Sequence, residues 1–337
     1  MARITVIGTG LIGTSLGLAL MQSPLKDLEL IGTDAAHSAR SGADKRRAFH
    51  KVDDRLLRAV DGADMVVLAT PIMAMEELLE IIGPELPEDC VVTDVGSSKK
   101  VVLDWADKIL PNHVHFVGGH PMAGKEEAGP EAAEADLFQN RTYAVVPSIK
   151  ASQRAVAEVT TMIENIGAKP YFISVDEHDS FVAAASHLPF MLSMALVGCT
   201  SKSANWDDIA QLASTGYRDI TRLASGDTVM HRDICVSNPE PIVAWIDAFI
   251  RELYEVRKLL DGEGELDSEA IKNIFDQAAE ARAKWVAGQF GPEARQYSPH
   301  TELPTFAESM GEMFAGRKII EAQKRMFRRG RGDQDKR

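Results

Sequence analysis

The chain has 337 residues, with 50 acidic residues against 37 Lys and Arg, so its formal net charge is −13. A chain of this length is too long for one ordinary hydrophobic core and predicts about two domains. An acidic surface would repel nucleic acid and anionic membranes, which argues against both as general partners. The three cysteines have no metal-ligand spacing, so we expect no metal site and a reducing compartment.

The N-terminal segment combines a predicted strand, three glycines and a predicted helix. Residues 3–7 are mostly apolar and of strand length, and an apolar helix follows from Leu11. Between them, Gly8 permits a tight turn, Gly10 lets the backbone approach a pyrophosphate, and Gly13 lets the helix pack closely on the strand. This pattern predicts a dinucleotide-binding turn with a helix N-terminus facing the phosphates. It does not resemble a secretory signal, so we expect a cytoplasmic protein.

The second predicted strand ends on Asp34, where a carboxylate would accept hydrogen bonds from the adenosine ribose. Because a carboxylate would repel a 2′-phosphate, Asp34 favours NAD over NADP as the cofactor. His37 and Arg40 are close enough to weaken this preference, and a solvated loop aspartate is the plainer alternative. We expect further cofactor contacts from four residues at the same edge: Leu11, Ile12, Thr70 and Pro71.

Strand-like runs recur along the first half of the chain, with helical patterns between the early ones. They begin at Met65, Val91, His113, Thr142 and Lys169. The alternation predicts a Rossmann-type doubly wound α/β sheet, and the apolar run from Met65 indicates a strand buried on both faces. We therefore predict a dinucleotide-binding domain over residues 1–173, an all-α substrate and dimerisation domain over residues 174–328, and a basic, disordered tail over residues 329–337.

The apolar segment from Phe181 to Cys199 approaches membrane-spanning length. It carries Ser186, His187 and Pro189 and has no similar companion, so we interpret it as a core helix rather than a membrane span. Because apolar residues lie nearly all round this helix, we expect it to be buried on every side. We expect a homodimer through the helical domain, and neither a membrane nor a nucleic-acid partner.

Loops at the carboxyl ends of the predicted strands carry side chains suited to proton transfer. His120 follows two glycines and precedes a proline, a poor position for core packing. An imidazole there could take the proton of a hydroxyl whose carbon gives up hydride. Ser97 could place a hydroxyl near the same reaction, although its loop could equally cap the next helix. His187 is either a pocket residue or a satisfied buried histidine.

Arg218 and Arg222 are four residues apart and fall on one face of a predicted helix. They could form a two-arginine clamp for a substrate carboxylate, because guanidinium groups match carboxylates with paired donors. The alternative is a surface ion pair between Arg222 and Asp219, which would contribute little.

Six motifs occur in one order: GTGLIGTSLGLAL, VVLATPI, TDVGSSK, GGHPMAG, SHLPF and GYRDITRLASGD. From the N-terminus to about Leu260 the chain therefore resembles the prephenate and arogenate dehydrogenase family of tyrosine biosynthesis. The resemblance implies NAD-dependent oxidation of prephenate to 4-hydroxyphenylpyruvate with loss of carbon dioxide. Arogenate is the alternative substrate.

The resemblance also implies roles for single residues. His120 would bind the ring hydroxyl and assist its deprotonation, and Ser97 would contact that hydroxyl or the nicotinamide. Arg222 rather than Arg218 would bind a substrate carboxylate, and His187 would have a positional role.

Two residues depart from the family pattern near the substrate side chain. Phe190 stands where many members have a second histidine, and Lys125 where many have Thr or Ser. Both leave the choice between prephenate and arogenate open. Lys125 could pair with a substrate carboxylate or belong to a solvated loop.

Two other classes of protein also combine a dinucleotide-binding domain with further sequence. A 3-hydroxy acid dehydrogenase or ketoacid reductase typically uses a helical lysine as its acid or base. Lys202 and Lys272 do not fit, because both are expected to face solvent. A non-catalytic NAD sensor would bind the dinucleotide without turnover, and the combination of His120 with Arg222 argues against it.

Overall fold

An eight-stranded sheet organises the first part of the chain. The structure, a computed structural model, describes residues 2–261 and 266–289. The strands are β1 (Ala2–Ile7), β2 (Leu28–Thr33), β3 (Lys51–Asp53), β4 (Met65–Leu68), β5 (Val91–Asp94), β6 (His115–Pro121), β7 (Thr142–Pro147) and β8 (Lys169–Phe172). They lie in the order β3-β2-β1-β4-β5-β6-β7-β8. All neighbours from β3 to β6 are parallel, which confirms the predicted Rossmann-type sheet.

The sequence predicts neither the directions of β7 and β8 in this sheet nor the short strand β3. β7 runs antiparallel to β6, and β8 runs parallel to β7. No α-helix lies between β6 and β7, so the chain returns beside β6 in the opposite direction instead of making a helical crossover. β3 is three residues long, and its Asp53 is buried and paired with Arg58. It therefore lacks the apolar run by which a strand is recognised.

Helices cover the sheet and bury two apolar clusters. The helices between the strands are α1 (Leu11–Gln22), α2 (His37–Lys45), α3 (Leu56–Val60), α4 (Met75–Ile82), α5 (Lys100–Ile109) and α6 (Gln153–Asn165). Leu20 of α1 and Val159 of α6 belong to one cluster, and Leu79 of α4 and Val102 of α5 to the other. All of β4 is buried, as predicted for a strand covered on both faces.

The chain changes from strands to helices at Ser174. The Ser174 side chain accepts from the Glu177 amide, and the Glu177 side chain accepts from the Ser174 amide, which forms a capping box. This cap starts a continuous helix made of α7 (Val175–Val182), a π-helical turn (Ala183–His187) and α8 (Leu188–Thr200). The further helices are α9 (Trp206–Leu212), α10 (Thr215–Thr221), α11 (Thr228–Ser237), α12 (Pro239–Leu260) and α13 (Ser268–Val286).

The expectation that this apolar helix is buried on every side is wrong for the single chain. On α8 only Phe190 and Ser193 are buried, and Met194 is 50% exposed. Within the part of the chain that the structure describes, neighbouring elements cover one side of the helix and leave apolar residues uncovered. By length and composition Val175–Thr200 is the one helix among the described residues that could cross a membrane. That is weak evidence, because core helices of soluble proteins meet the same criterion.

The chain divides into two compact units, residues 1–245 and residues 246–337. The first unit contains the whole sheet and α1 to α11, and the division falls within α12. The functional boundary between residues 173 and 174 stays a prediction. The predicted tail over residues 329–337 lies outside the described residues.

Candidate active site

The loop between β1 and α1 is shaped by close approach of backbone to backbone. Gly8 has a φ of +100°, and a Cβ at this position would collide with the carbonyl group of Ala69. A Cβ at Gly13 would collide with the carbonyl oxygen of Gly8. At Gly10, by contrast, a Cβ would meet no atom within 4 Å. The loop is therefore fixed behind Gly8 and open at Gly10, which fits a cradle for a pyrophosphate.

Asp34 is held beside this loop by both of its carboxylate oxygens. Oδ2 accepts from the Thr9 amide at 2.7 Å, and Oδ1 accepts from the Ala36 amide at 2.8 Å. Arg40 Nη1 donates to the carbonyl oxygen of Ala35 at 3.0 Å and also binds that of Asp34. The carboxylate thus lies at the end of β2 next to the glycine loop, where a ribose hydroxyl would need an acceptor.

The remaining residues predicted to contact the cofactor lie at the same edge of the sheet. Leu11 and Ile12 open α1 and are half-buried. Thr70 and Pro71 follow β4, which pairs in parallel with β1, so both strands end at this edge. The Thr70 hydroxyl is buried without a hydrogen-bond partner among the described residues. These residues together fit a bound dinucleotide.

His120 lies near the end of β6 and begins a chain of three polar side chains. His120 Nδ1 lies 3.0 Å from His178 Nε2, and His178 Nδ1 lies 2.7 Å from Asp179 Oδ1. Because the carboxylate can only accept, His178 Nδ1 donates to it. In an uncharged His178 the Nε2 atom then accepts from His120 Nδ1. This assignment leaves the His120 Nε2 lone pair free to accept a proton.

The charges of this chain follow from burial and from hydrogen bonds. Burial, the positive charges that His178 and His187 would carry, and the ammonium of Lys99 all lower the pKa of His120 well below its ordinary value. Burial opposes the charge of Asp179, but hydrogen bonds from His178 and from the Lys100 and Lys99 amides bring its pKa below the usual value. At neutral pH His120 is therefore uncharged, and the chain of side chains ends on the Asp179 carboxylate.

Sequence reading missed His178 and Asp179. Neither residue belongs to one of the six motifs. The sequence feature that could have pointed to these residues is a His-Asp pair one turn after the Ser174 cap, where an apolar helix begins. Whether this pair takes part in the site depends on the tertiary contact between α7 and the end of β6.

His187 is fully buried within the π-helical turn, a deviation that is frequent at functional sites. Its Nδ1 lies 3.3 Å from Asn238 Nδ2, which also donates to the carbonyl oxygen of Asp179. Because Asn238 Nδ2 is a donor, His187 Nδ1 accepts and its Nε2 carries the hydrogen. No described residue accepts from Nε2, and burial lowers the pKa of His187 to about 4. The residue presents an unsatisfied donor that a ligand oxygen could accept.

Ser97 lies half-buried on the loop after β5, three residues after the end of the strand, which is adjacent to β6. The alternative that this loop caps α5 with a serine is wrong, because no side chain of the loop caps the helix. The Asp179 carboxylate does so instead, accepting from the amides of Lys99 at 2.7 Å and Lys100 at 2.9 Å. Ser97 is therefore not needed as a cap.

The predicted arginine clamp is not formed in this structure. α10 ends at Thr221, so Arg222 lies in the following 3₁₀ turn and not on a shared helix face with Arg218. Arg222 forms an ion pair with Glu126 rather than with Asp219, and its side chain is 53% exposed. Arg218 is exposed and has no ion pair among the described residues. Of the two arginines, Arg222 is thus the one that contacts the loop after β6, through Glu126.

Two positions that depart from the family pattern have defined partners. Lys125 forms an ion pair with Glu134 and lies 3.2 Å from the carbonyl oxygen of Ala132. The Phe190 ring stacks on His231 of α11, with ring centres 4.4 Å apart. Lys202 and Lys272 are both exposed, as expected for residues without an acid–base role. Within the described residues, no group of His, Cys, Asp and Glu could hold a metal ion.

The comparisons with known proteins agree with this geometry. The family model "Prephenate dehydrogenase, nucleotide-binding domain" matches residues 16–172, and "Prephenate dehydrogenase, dimerization domain" matches residues 174–277. The prephenate dehydrogenase of Bacillus subtilis (strain 168) is 32% identical over 315 residues, which cover 93% of this chain and 84% of that protein. The chain belongs to the prephenate dehydrogenase family. The family predicted from the six motifs is thereby confirmed.

Solved structures of the prephenate dehydrogenase family share the fold. Prephenate dehydrogenase from A. aeolicus in complex with hydroxyphenyl propionate and NAD+ has a TM-score of 0.76 and 26% identity, covering 85% of this chain and 98% of that one. Synechocystis arogenate dehydrogenase has a TM-score of 0.72 and 28% identity, covering 84% and 99%. The predicted oxidoreductase class is confirmed by these relationships.

Proposed function

We propose that this chain catalyses the NAD-dependent oxidative decarboxylation of prephenate to 4-hydroxyphenylpyruvate. The observation that carries the proposal is the hydrogen-bonded chain His120–His178–Asp179 at the strand edge that also holds the glycine loop. The relative from B. subtilis is named for this activity, and the A. aeolicus relative was solved with NAD+ and a phenolic acid. Both support the same assignment here.

His120 acts as the base for the ring hydroxyl. Its free Nε2 accepts the hydroxyl proton, and the charge that develops on the imidazole is stabilised through His178 by the Asp179 carboxylate. Bound NAD supplies the acceptor for the hydride of the hydroxyl-bearing carbon, while the ring carboxylate leaves as carbon dioxide and its bonding electrons complete the aromatic ring. The proton held by His120 returns to the phenol oxygen, so the base is regenerated.

The residues around the base would bind and orient the substrate. Ser97 contributes a hydroxyl, and His187 contributes its unsatisfied Nε2 donor. Arg222 binds a substrate carboxylate in place of Glu126, with Arg218 and Lys125 at the margin of the site. This division of roles follows the family resemblance and the observed partners of each side chain.

The preference for NAD over NADP rests on Asp34. Its carboxylate is fixed beside the glycine loop by two amides and would repel a 2′-phosphate bound there. Arg40 does not offset this charge freely, because its guanidinium is engaged with the carbonyl oxygens of Asp34 and Ala35.

We also infer a homodimer through the helical region and a cytoplasmic location. Apolar residues on α8, Met194 among them, are left uncovered within one chain. The family model matched to this region is described as a dimerization domain. A second copy of the chain would cover these residues, so that the apolar helix is buried on every side as its sequence predicts.

The experiment that tests the proposal is a set of initial-rate assays with the purified protein. Prephenate and arogenate are each offered with NAD and with NADP, and absorbance of the reduced nicotinamide is followed. The proposal expects the highest kcat/KM with prephenate and NAD. A preference for arogenate would make arogenate the substrate. NAD binding without turnover of either acid would favour a non-catalytic NAD sensor.

A further inference from the structure

A buried ion pair lies between the loop that carries Ser97 and the end of β6, which carries His120. Lys99 Nζ binds Asp94 Oδ2, and both side chains are fully buried. Neither residue belongs to the site predicted from the sequence. A lysine is almost never fully buried without a partner, because removing its charge from water is costly. The position of this pair at the ends of β5 and β6 therefore calls for an explanation.

The Asp94 carboxylate holds both segments through the residues that precede Ser97 and His120. Its Oδ2 accepts from the Gly96 amide at 2.8 Å, and its Oδ1 accepts from the Gly119 amide at 3.1 Å. One carboxylate thus bridges the segment after β5 and the end of β6, beyond Thr93 and Val117, the last paired residues of the two strands. The lysine neutralises this carboxylate and satisfies its remaining acceptor capacity.

Lys99 is also tied to the proton relay through its backbone. Its amide donates to Asp179 Oδ1 at 2.7 Å, and the same oxygen accepts from His178 Nδ1. The lysine stem fills the space beside Gly118, where a Cβ would lie 3.2 Å from Lys99 Cδ. Close packing beside Lys99 thus contributes to the need for a glycine at 118, whereas a Cβ at Gly119 would collide with the backbone carbonyl oxygen of Asp94.

We propose that the Lys99–Asp94 ion pair is a positioning device that fixes Ser97 and His120 relative to each other for proton transfer. The inference rests on the proposed function, because it takes His120 as the base. Lys99 is a positioning residue, since it acts through the Asp94 carboxylate and does not contact the reacting atoms.

The ion pair also acts on the charge of His120. The groups that face the imidazole are His178 from α7, Lys99 from the start of α5 and His187 from the π-helical turn, within a buried environment. After burial and His178, the Lys99 ammonium is the next cause that lowers the pKa of His120. Loss of the ammonium leaves Asp94 uncompensated, so the pKa of His120 should rise.

The test follows the titration of His120 by NMR in histidine-labelled protein without substrate, together with kcat on prephenate. Lys99→Met should move the His120 titration upward by about one pH unit and lower kcat by at least about tenfold through misplacement of the loops. Lys108→Met is the matched control, because Lys108 is an exposed lysine on the same helix. It should change neither quantity.

The double variant Lys99→Met/Asp94→Asn removes both charges of the ion pair. The same two measurements are made on it if Lys99→Met does not fold. Its His120 titration should move less than in the single variant. Its kcat should stay at least about tenfold low, because an amide offers one acceptor oxygen to Gly96 and Gly119 instead of two. A folded Lys99→Met or double variant with unchanged His120 titration and kcat within about twofold of the wild type would overturn the inference.

The two proposals fail in different ways. If the wild-type protein does not oxidise prephenate, the proposed function is wrong. The NMR titration of Lys99→Met still decides whether the ion pair acts on His120. If the ion pair were purely structural, its loss in Lys99→Met would lower the free energy of unfolding without moving the His120 titration.

Discussion

The nucleotide end and the proton-transfer end of the candidate site are built in different ways. The nucleotide end is made of backbone that is nearly contiguous in sequence, with Gly8 and Gly10 in one turn and Asp34 fixed by the Thr9 amide. The proton-transfer end joins His120 of β6 to His178 of α7 through a side-chain contact across 58 residues. A phosphate cradle is therefore encoded locally, whereas the relay depends on how distant elements pack.

The strongest test of this contrast removes the far end of the relay. Asp179→Asn should lower kcat by about a thousandfold, because His178 loses the carboxylate that sets its tautomer and stabilises the charge on His120. NAD affinity should stay the same, since the nucleotide end does not use Asp179. Steady-state rates and calorimetric titration with NAD measure the two effects. Asp176→Asn, an exposed carboxylate in the first turn of α7, is the control.

Acid should act on the proton-transfer end through its buried imidazoles. The pKa of His187 is about 4 in the folded chain against 6.5 for an ordinary histidine. Between these values the unfolded chain binds the additional proton, so stability that is present above pH 6.5 is lost as the pH falls towards 4. One such histidine contributes about 3 kcal/mol to this loss.

Denaturant unfolding at several pH values between 7 and 4 checks this prediction. His187→Gln should show a smaller loss of unfolding free energy on acidification than the wild type. His37→Gln, an exposed histidine outside the relay, should keep the wild-type dependence. Equal dependence in all three proteins would mean that His187 is not held uncharged by the fold.

At the nucleotide end, two neighbouring glycines should respond differently to the same change. Gly8→Ala should lower the free energy of unfolding by about 2 kcal/mol, because alanine is strained at a φ of +100° and its Cβ meets Ala69. Gly10→Ala should leave stability unchanged, because its Cβ enters open space, yet weaken NAD binding by filling the pyrophosphate position. Thermal unfolding and NAD titration separate the cases. Loss of stability in Gly10→Ala would contradict the open cradle.

The smallest expected effect concerns the carboxylate ligand. Arg222→Ala should raise the KM for prephenate by about tenfold while kcat changes little, since a half-exposed charged hydrogen bond contributes modestly. Initial rates over a range of prephenate concentrations give both constants. Arg218→Ala decides between one arginine and two, because an equal rise in KM would restore the two-arginine clamp.

What the sequence could predict follows the same division. Most of the strands, the glycine turn, the place of Asp34 beside it and the place of His120 at the carboxyl end of β6 were readable, because each depends on residues near in sequence. His178, Asp179 and Lys99 were not, because a polar residue beside a helix start looks the same whether it faces solvent or a distant strand end. The exposure of α8 escaped prediction for a related reason. Apolar periodicity indicates that a surface is covered and does not say by which chain.

The central claim is that His120 moves the proton of the substrate while a separate nucleotide end binds NAD. It is tested most directly by comparing the wild type with His120→Asn in two measurements on the same preparations, NAD binding by calorimetry and NAD reduction with prephenate. The account predicts equal NAD affinity and a kcat lowered by at least about a hundredfold in the variant. Wild-type turnover in His120→Asn, or no prephenate-dependent NAD reduction by the wild type, would contradict it.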